Sequence, residues 1–139
     1  MCITKLLAEH TKYETVRISI SGKRFKALVA DTFLKRAIGL MYRNGLRRSE
    51  CMLFIFDRPS REGIWMANMR FAIDIVWVGS NLEVVDILKR AKPCSSMFDC
   101  PTNYPKQSAL YVVEFAAGAV DRFGIKKNQK LKIGKKNKK

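Results

Sequence analysis

The stretch GIWMANMRFAIDIVWVG, from Gly63 to Gly79, constrains the fold more than any other part of the chain. Successive side chains of an extended strand point to opposite faces. Phe71, Ile73, Ile75 and Trp77 therefore share one face, and Ala72, Asp74, Val76 and Val78 share the other. Both faces are apolar, so this strand needs cover on both sides. Yet the stretch also carries Asn68, Arg70 and Asp74. A buried carboxylate needs an Arg, backbone N–H groups or a raised pKa. Whatever satisfies Asp74 must come from another part of the chain.

The remaining apolar runs are short and separated by turns. TVRISIS, Thr15 to Ser21, alternates Val16, Ile18 and Ile20 with polar residues, the pattern of a half-buried strand. Ser21-Gly22-Lys23 turns the chain, and FKALVA from Phe25 returns as a hairpin arm. CMLFIF from Cys51, LEVVDILKR from Leu82, ALYVVEF from Ala109 and KLKI from Lys130 read as further strands. AAGAVDRFG, from Ala116, suits a short helical turn closing at Gly124. One segment changes period: DTFLKRAIGLMYR, Asp31 to Arg43, reads as an amphipathic helix with Asp31 as N-cap and Asn44-Gly45 as its stop. Arg36 and Arg43 lie at the edge of its apolar stripe, where their stems can be buried and their guanidinium groups aimed near the core. The predicted fold is mainly β: an antiparallel β-sandwich or partly open barrel with this helix packed on it.

At 139 residues the chain suits one domain. It divides into an N-terminal segment (1–14), a β-rich body (15–133) and a basic tail beginning near 126 and ending with 134–139. The hydrophobic fraction of 47% supports a real core. No apolar run has the roughly 18 residues of a membrane span, and the start is too short in apolar residues for a secretory signal. These features read as a soluble, cytoplasmic protein. The formal charge is +15, of which the last fourteen residues supply eight lysines and no acid, leaving 15 − 8 = +7 for the body. Lys126, Lys127, Lys130, Lys132, Lys135, Lys136, Lys138 and Lys139 are thus a candidate electrostatic arm for nucleic acid, or a solvated terminus. The arm lacks the aromatic residues that stack bases. The one histidine, His10, is near the N-terminus, which argues against Ser-His, Cys-His and His-based zinc chemistry in the body. Neither a metal nor a cofactor is expected.

KPCSSMFDCPTNYPKQS, Lys92 to Ser108, is a long connection without periodicity. Its Cys94 and Cys100 can form a loop staple or remain two free thiols; two thiols alone make a poor zinc site, which wants four ligands.

These blocks, in this order, resemble a known family. ADTFLKRAIGLMYR, MLFIF, IWMANMRFAIDIVWV, PC…CPTNY and YVVEFAAG…GI are similar to the family of domain of unknown function 192, an uncharacterised protein family. Cys51 stands where that pattern has Gly, Met69 where it has Thr, Ala72 where Pro is frequent, and Asn128 where a Gly-Asp pair is usual. The resemblance implies a β-rich, sandwich-like fold and no reaction.

Two readings of the polar residues follow. In one, Arg36 or Arg43 pairs with Asp74 and clasps the helix to the sheet, with Glu114, Gly39 and Gly118 in structural roles. In the other, Arg36, Met41, Arg43, Trp65, Met66, Asn68 and Asp74 line a binding site for a small molecule or a protein partner. No catalytic residue is assigned under either. A hydrolase with Asp74 and Glu114 as acid and base is a further alternative. A non-enzymatic ligand- or partner-binding domain is the leading expectation.

Overall fold

A computed structural model describes residues 3–96 and 98–136. Along the chain it places α1 (Ile3–His10), β1 (Thr15–Ile20), β2 (Lys23–Ala30), α2 (Phe33–Ile38), β3 (Glu50–Ser60), β4 (Ile64–Trp65), β5 (Ile73–Val78), β6 (Val84–Ala91), β7 (Thr102–Asn103), β8 (Ala109–Ala116), α3 (Ala119–Phe123) and β9 (Lys132–Lys136). Seven strands form one sheet in the order β6-β5-β8-β3-β2-β1-β9, while β4 and β7 form a small separate ribbon. The protein is mainly β, as the short alternating runs predict.

The large sheet is mixed. All its pairs are antiparallel except β2 with β3, which run parallel from Lys26↔Glu50 to Ala30↔Phe54. A parallel pair cannot be joined by a tight turn and needs a crossover. Residues 31–49 provide it, and α2 lies within it. The sheet is not closed into a barrel. Its two edges nevertheless approach one another: Val84 donates to the Gln129 carbonyl at 2.9 Å, and Leu131 to that of Leu82 at 2.8 Å.

β5 is buried at every position. Its alternation feeds two cores. Val76 and Val78 join Val16, Ile18, Phe25, Cys51 and Phe115 on one face, with Val120 of α3 and Leu131 closing over them. Ile73, Ile75 and Trp77 join Met52, Val112, Leu40, Ile64 and Met66 on the other. Fully burying one such side chain contributes about 1.5–3 kcal/mol, so β5 is held from both sides.

The helix is much shorter than Asp31–Arg43. Thr32 is the N-cap, its hydroxyl accepting from the Lys35 N–H at 3.2 Å. Asp31 instead accepts from the Lys136 ammonium at 2.6 Å, which holds its carboxyl below the ordinary range. The helix stops at Gly39, not at Asn44-Gly45, because Gly39 adopts φ 51°. That left-handed conformation suits a residue without Cβ. Arg43 therefore lies outside the helix. The sequence pattern does not predict helix α1, of which His10 is the last residue.

The Gly63–Gly79 stretch is a strand pair interrupted by a turn. After β4 the chain bends through Asn68, whose φ is 59°, before entering β5. Asn tolerates the left-handed region better than most residues.

Candidate functional site

The crossover fixes the site. It drops α2 and the turn after Gly39 onto the sheet face carrying Met52, Ile75 and Val112. Tyr13, just before β1, holds it there, its hydroxyl donating to the carbonyls of Gly39 at 3.1 Å and Lys35 at 3.3 Å. Burial pushes the Tyr13 phenol up to about 12, while Arg43 acts in the opposite sense and Glu114 adds to the rise. On the far side the Asn68 carbonyl accepts from the Tyr42 N–H at 3.0 Å, and its amide contacts the Met41 sulfur at 3.7 Å.

Between crossover and sheet lies a cavity of about 490 Å³, within the usual range of ligand sites. Phe54, Phe56, Ile64, Trp65 and Met41 contribute apolar wall, and Phe33 and Trp65 stand at the mouth, 82% and 41% exposed. Glu114 reaches the cavity from β8. Its register partners are Met52 and Ile75, which places it in the middle of an apolar face. Glu114 is only 3% exposed. Among the described residues no hydrogen bond or ion pair reaches it, and no side-chain polar atom is both sealed and unpaired. The carboxyl therefore faces the cavity. Burial alone pushes its pKa up to about 8.

Arg36 also lines the cavity, but its guanidinium is engaged. It donates to the Ile55 carbonyl at 2.9 Å, lies 3.7 Å from Asp57 and stands 5.4 Å over the Phe56 ring. Arg43 lies 5.8 Å over the Tyr13 ring.

The expected clasp between Asp74 and Arg36 or Arg43 is not formed. Asp74 accepts from three backbone N–H groups: Arg90 at 2.9 Å, Gly118 at 3.1 Å and Val120 at 2.9 Å. Gly118, the N-cap of α3, has no side chain to cap the helix, and Asp74 does so from the sheet. Backbone donors satisfy the charge without any arginine. The pairing of Asp74 with Glu114 as acid and base also fails on geometry. Asp74 is opposite Phe115, so it shares that residue's face, whereas Glu114 points to the other. A sheet separates the two carboxyls.

Of the residues expected at a site, Arg36, Met41 and Trp65 line the cavity together with Gly39 and Glu114. Arg43, Met66, Asn68 and Asp74 do not. Met66 is core, and Arg43 and Asn68 support the crossover from outside. Alternation alone places Glu114 on the Val112 face, but its lack of a partner depends on where Arg36 goes, and no spacing records that. Gly39 admits no larger residue freely, since an added Cβ would sit 3.2 Å from the Phe54 ring.

Elsewhere, Cys94 and Cys100 are joined in a disulfide. The long loop is tied to the fold by Lys106, which donates to Asp86 at 2.8 Å, and by Pro105, whose carbonyl accepts from Arg61 at 2.8 Å. Cys51 is buried and its thiol is pushed up by burial. In the basic segment, Lys127, Lys130 and Lys136 face Asp86, Glu83 and Asp31. No ion pair reaches Lys126, Lys132 or Lys135 among the described residues, and Lys138 and Lys139 lie outside them. Among the described residues no helix is long and apolar enough to cross a membrane, and no group of three or more His, Cys, Asp or Glu is placed to hold a metal ion.

The fold and cavity define a β-rich domain in which one parallel crossover covers a cleft on a mixed sheet. The chain belongs to the family of domain of unknown function 192, described as uncharacterized ACR, whose model matches residues 16–133. A UPF0127 protein of Pyrococcus furiosus is 32% identical over 123 residues, 87% of this chain and 91% of that protein. A UPF0127 protein of Thermococcus sibiricus is 36% identical over 95 residues, 67% of this chain and 56% of that one. Two solved structures share the fold. One, from Sinorhizobium meliloti and described as a candidate transcription regulator, gives a TM-score of 0.81 at 26% identity, covering 89% of this chain and 97% of that one. The other, a protein of unknown function from Novosphingobium aromaticivorans, gives 0.78 at 28% identity, covering 90% and 95%.

Proposed function

We propose that the protein is a non-enzymatic, small-molecule-binding domain whose site is the cavity between the β2–β3 crossover and the sheet. The carrying observation is Glu114, a buried carboxyl without a partner among the described residues, set among apolar side chains on the wall of a cavity of about 490 Å³. Convergent polar groups within an apolar pocket are the usual mark of a ligand site. A carboxyl buried without a partner is costly to the fold, and a ligand that meets it would offset that cost. No catalytic role is assigned: Asp57, Ser60 and Glu62 also line the cavity, but among the described residues no hydrogen bond couples any of them to the Glu114 carboxyl as an acid–base or nucleophile pair requires.

Fragment screening by chemical-shift mapping tests this reading. Binders are expected to shift amides in residues 33–41, 54–57 and 63–65 and around 114. Ala37→Trp, which puts an indole into the cavity wall, is expected to remove them. Shifts confined to other surfaces, or unaltered by the tryptophan, would overturn the proposal.

A second reading is nucleic-acid association through the basic segment, favoured by the +15 charge and by the description given to the Sinorhizobium relative. Duplex binding measured at two salt concentrations, with charge-reversed Lys126, Lys132 and Lys135, separates the two. Salt-insensitive binding, or binding unchanged by the reversals, would remove it.

A further inference from the structure

Glu114 also indicates the chemistry of the ligand, on the reading that the cavity is a binding site. Charges at the cavity balance except at this position. Arg36 and Arg58 are equalled in number by Asp57 and Glu62, and Arg36 is occupied by Asp57 at 3.7 Å, the Ile55 carbonyl and the Phe56 ring. Glu114 remains as one acid with no cation. The walls around it are rich in aromatic faces, from Phe33, Phe54, Phe56 and Trp65. Aromatic faces, the negative end of the ring quadrupole, attract cations and repel anions. A carboxylate deep in an aromatic cavity is the combination that selects an organic cation.

We propose that the cavity receives a small molecule with an apolar or aromatic body and a protonated amine, amidine or guanidine head, and that Glu114 takes the head. An anionic ligand would bring a second negative charge into a desolvated space. A neutral ligand would leave the carboxyl protonated and gain only an ordinary hydrogen bond. An ammonium gains a charge-assisted bond where the low dielectric strengthens it.

The proposal has a proton signature. The charged groups that share the cavity wall with Glu114 are Arg36 from α2, Asp57 and Arg58 from β3, and Glu62 just after it; Tyr13, before β1, responds to the charges of both Glu114 and Arg43. None of these neutralises the carboxyl by direct contact, and burial holds it protonated up to about pH 8. A cation that binds must displace that proton to solvent. Affinity therefore rises about tenfold per pH unit from about pH 6 to about pH 8 and then levels off. At pH 7 about one proton leaves for each molecule bound.

Titration calorimetry on the full chain reads this directly. The probes are 2-phenylethylamine, its neutral near-isostere 2-phenylethanol, and 3-phenylpropionate. Each is measured at pH 6, 7 and 8 in two buffers of different ionisation enthalpy, with wild type and Glu114→Gln. The expected result is a preference for the amine of at least about tenfold at pH 8, with proton release at pH 7 and loss of both in the Gln variant. Proton release is measured on the wild type alone, so it decides the matter even if the variant folds poorly. If the alcohol binds as well as the amine and no proton is released, the cation reading falls and the cavity remains a site for neutral molecules. Preferred binding of the propionate would also overturn it. If no probe and no fragment binds the cavity, both this inference and the binding function fall.

Discussion

Glu114→Gln should make the protein more stable in alkaline than in acid conditions relative to wild type. The ordinary glutamate value is 4.5, and burial pushes Glu114 to about 8. The sign is set by which state holds the proton. Between those limits the folded chain keeps it while the unfolded chain has lost it, so stability falls as pH rises. Below 4.5 the wild type has its full stability; above about 8 the loss is complete. Each pH unit between removes about 1.4 kcal/mol, and the whole interval on the order of 5 kcal/mol. Glutamine keeps the shape and cannot ionise, so its profile lacks this decline. Asp31, Asp121 and Lys136, whose pKa values are also displaced by ion pairing, contribute equally to both proteins and cancel in the difference. Urea denaturation at pH 5, 6, 7, 8 and 9 gives the two curves. A gap widening in favour of Gln by several kcal/mol between pH 5 and pH 8 is expected. Curves parallel to within about 1 kcal/mol would show that Glu114 is solvated or paired, and the case for an unpartnered carboxyl would collapse.

Other outcomes are open to simpler measurements. Asp74→Ala orphans three backbone donors at about 1–3 kcal/mol each, so urea unfolding should show a loss of at least about 3 kcal/mol; a loss under 1 would mean that water replaces the carboxylate. Gly39→Ala strains a left-handed residue against Phe54 and should cost about 1–2 kcal/mol, read as a fall in melting temperature. Reduction of Cys94–Cys100, or its double serine variant, should cost about 2 kcal/mol or less because the enclosed loop is short. Its hydrogen-exchange signature should be confined to residues near 92–104, with the β5 and β8 amides unchanged.

The β character was legible from alternation, since Val16, Ile18 and Ile20 or the two faces of β5 need only a period of two. The helix boundary was not. Leu40 and Met41 continue the apolar spacing of α2, and only the conformation of Gly39 reveals that they belong to a turn. The parallel β2–β3 pair was equally hidden, because strand direction depends on which strands meet and not on local composition. The pattern marks Asp74 as a buried carboxylate that needs partners, but those partners are backbone groups, which leave no mark in a sequence. By sequence Glu114 reads as structural, or as the acid–base partner of Asp74. What distinguishes it from Asp74 is that, among the described residues, no donor is bonded to its carboxyl, a fact of three-dimensional neighbourhood alone.

The parallel crossover has a consequence for how this domain can diversify. The acid at the cavity belongs to the central sheet, where β8 pairs with both β5 and β3. Part of the wall and mouth, with Phe33, Arg36 and Met41, belongs to the crossover connection, which is anchored to the sheet through Leu40. Exposed positions of the mouth such as Phe33 can therefore be changed with little effect on the sheet that carries the acid. Grafting residues 33–43 from one relative to another should exchange preferences for the body of a ligand while the head group stays under the control of β8. The determinants proposed for the head and for the body of a ligand then lie on two separate stretches of the same chain.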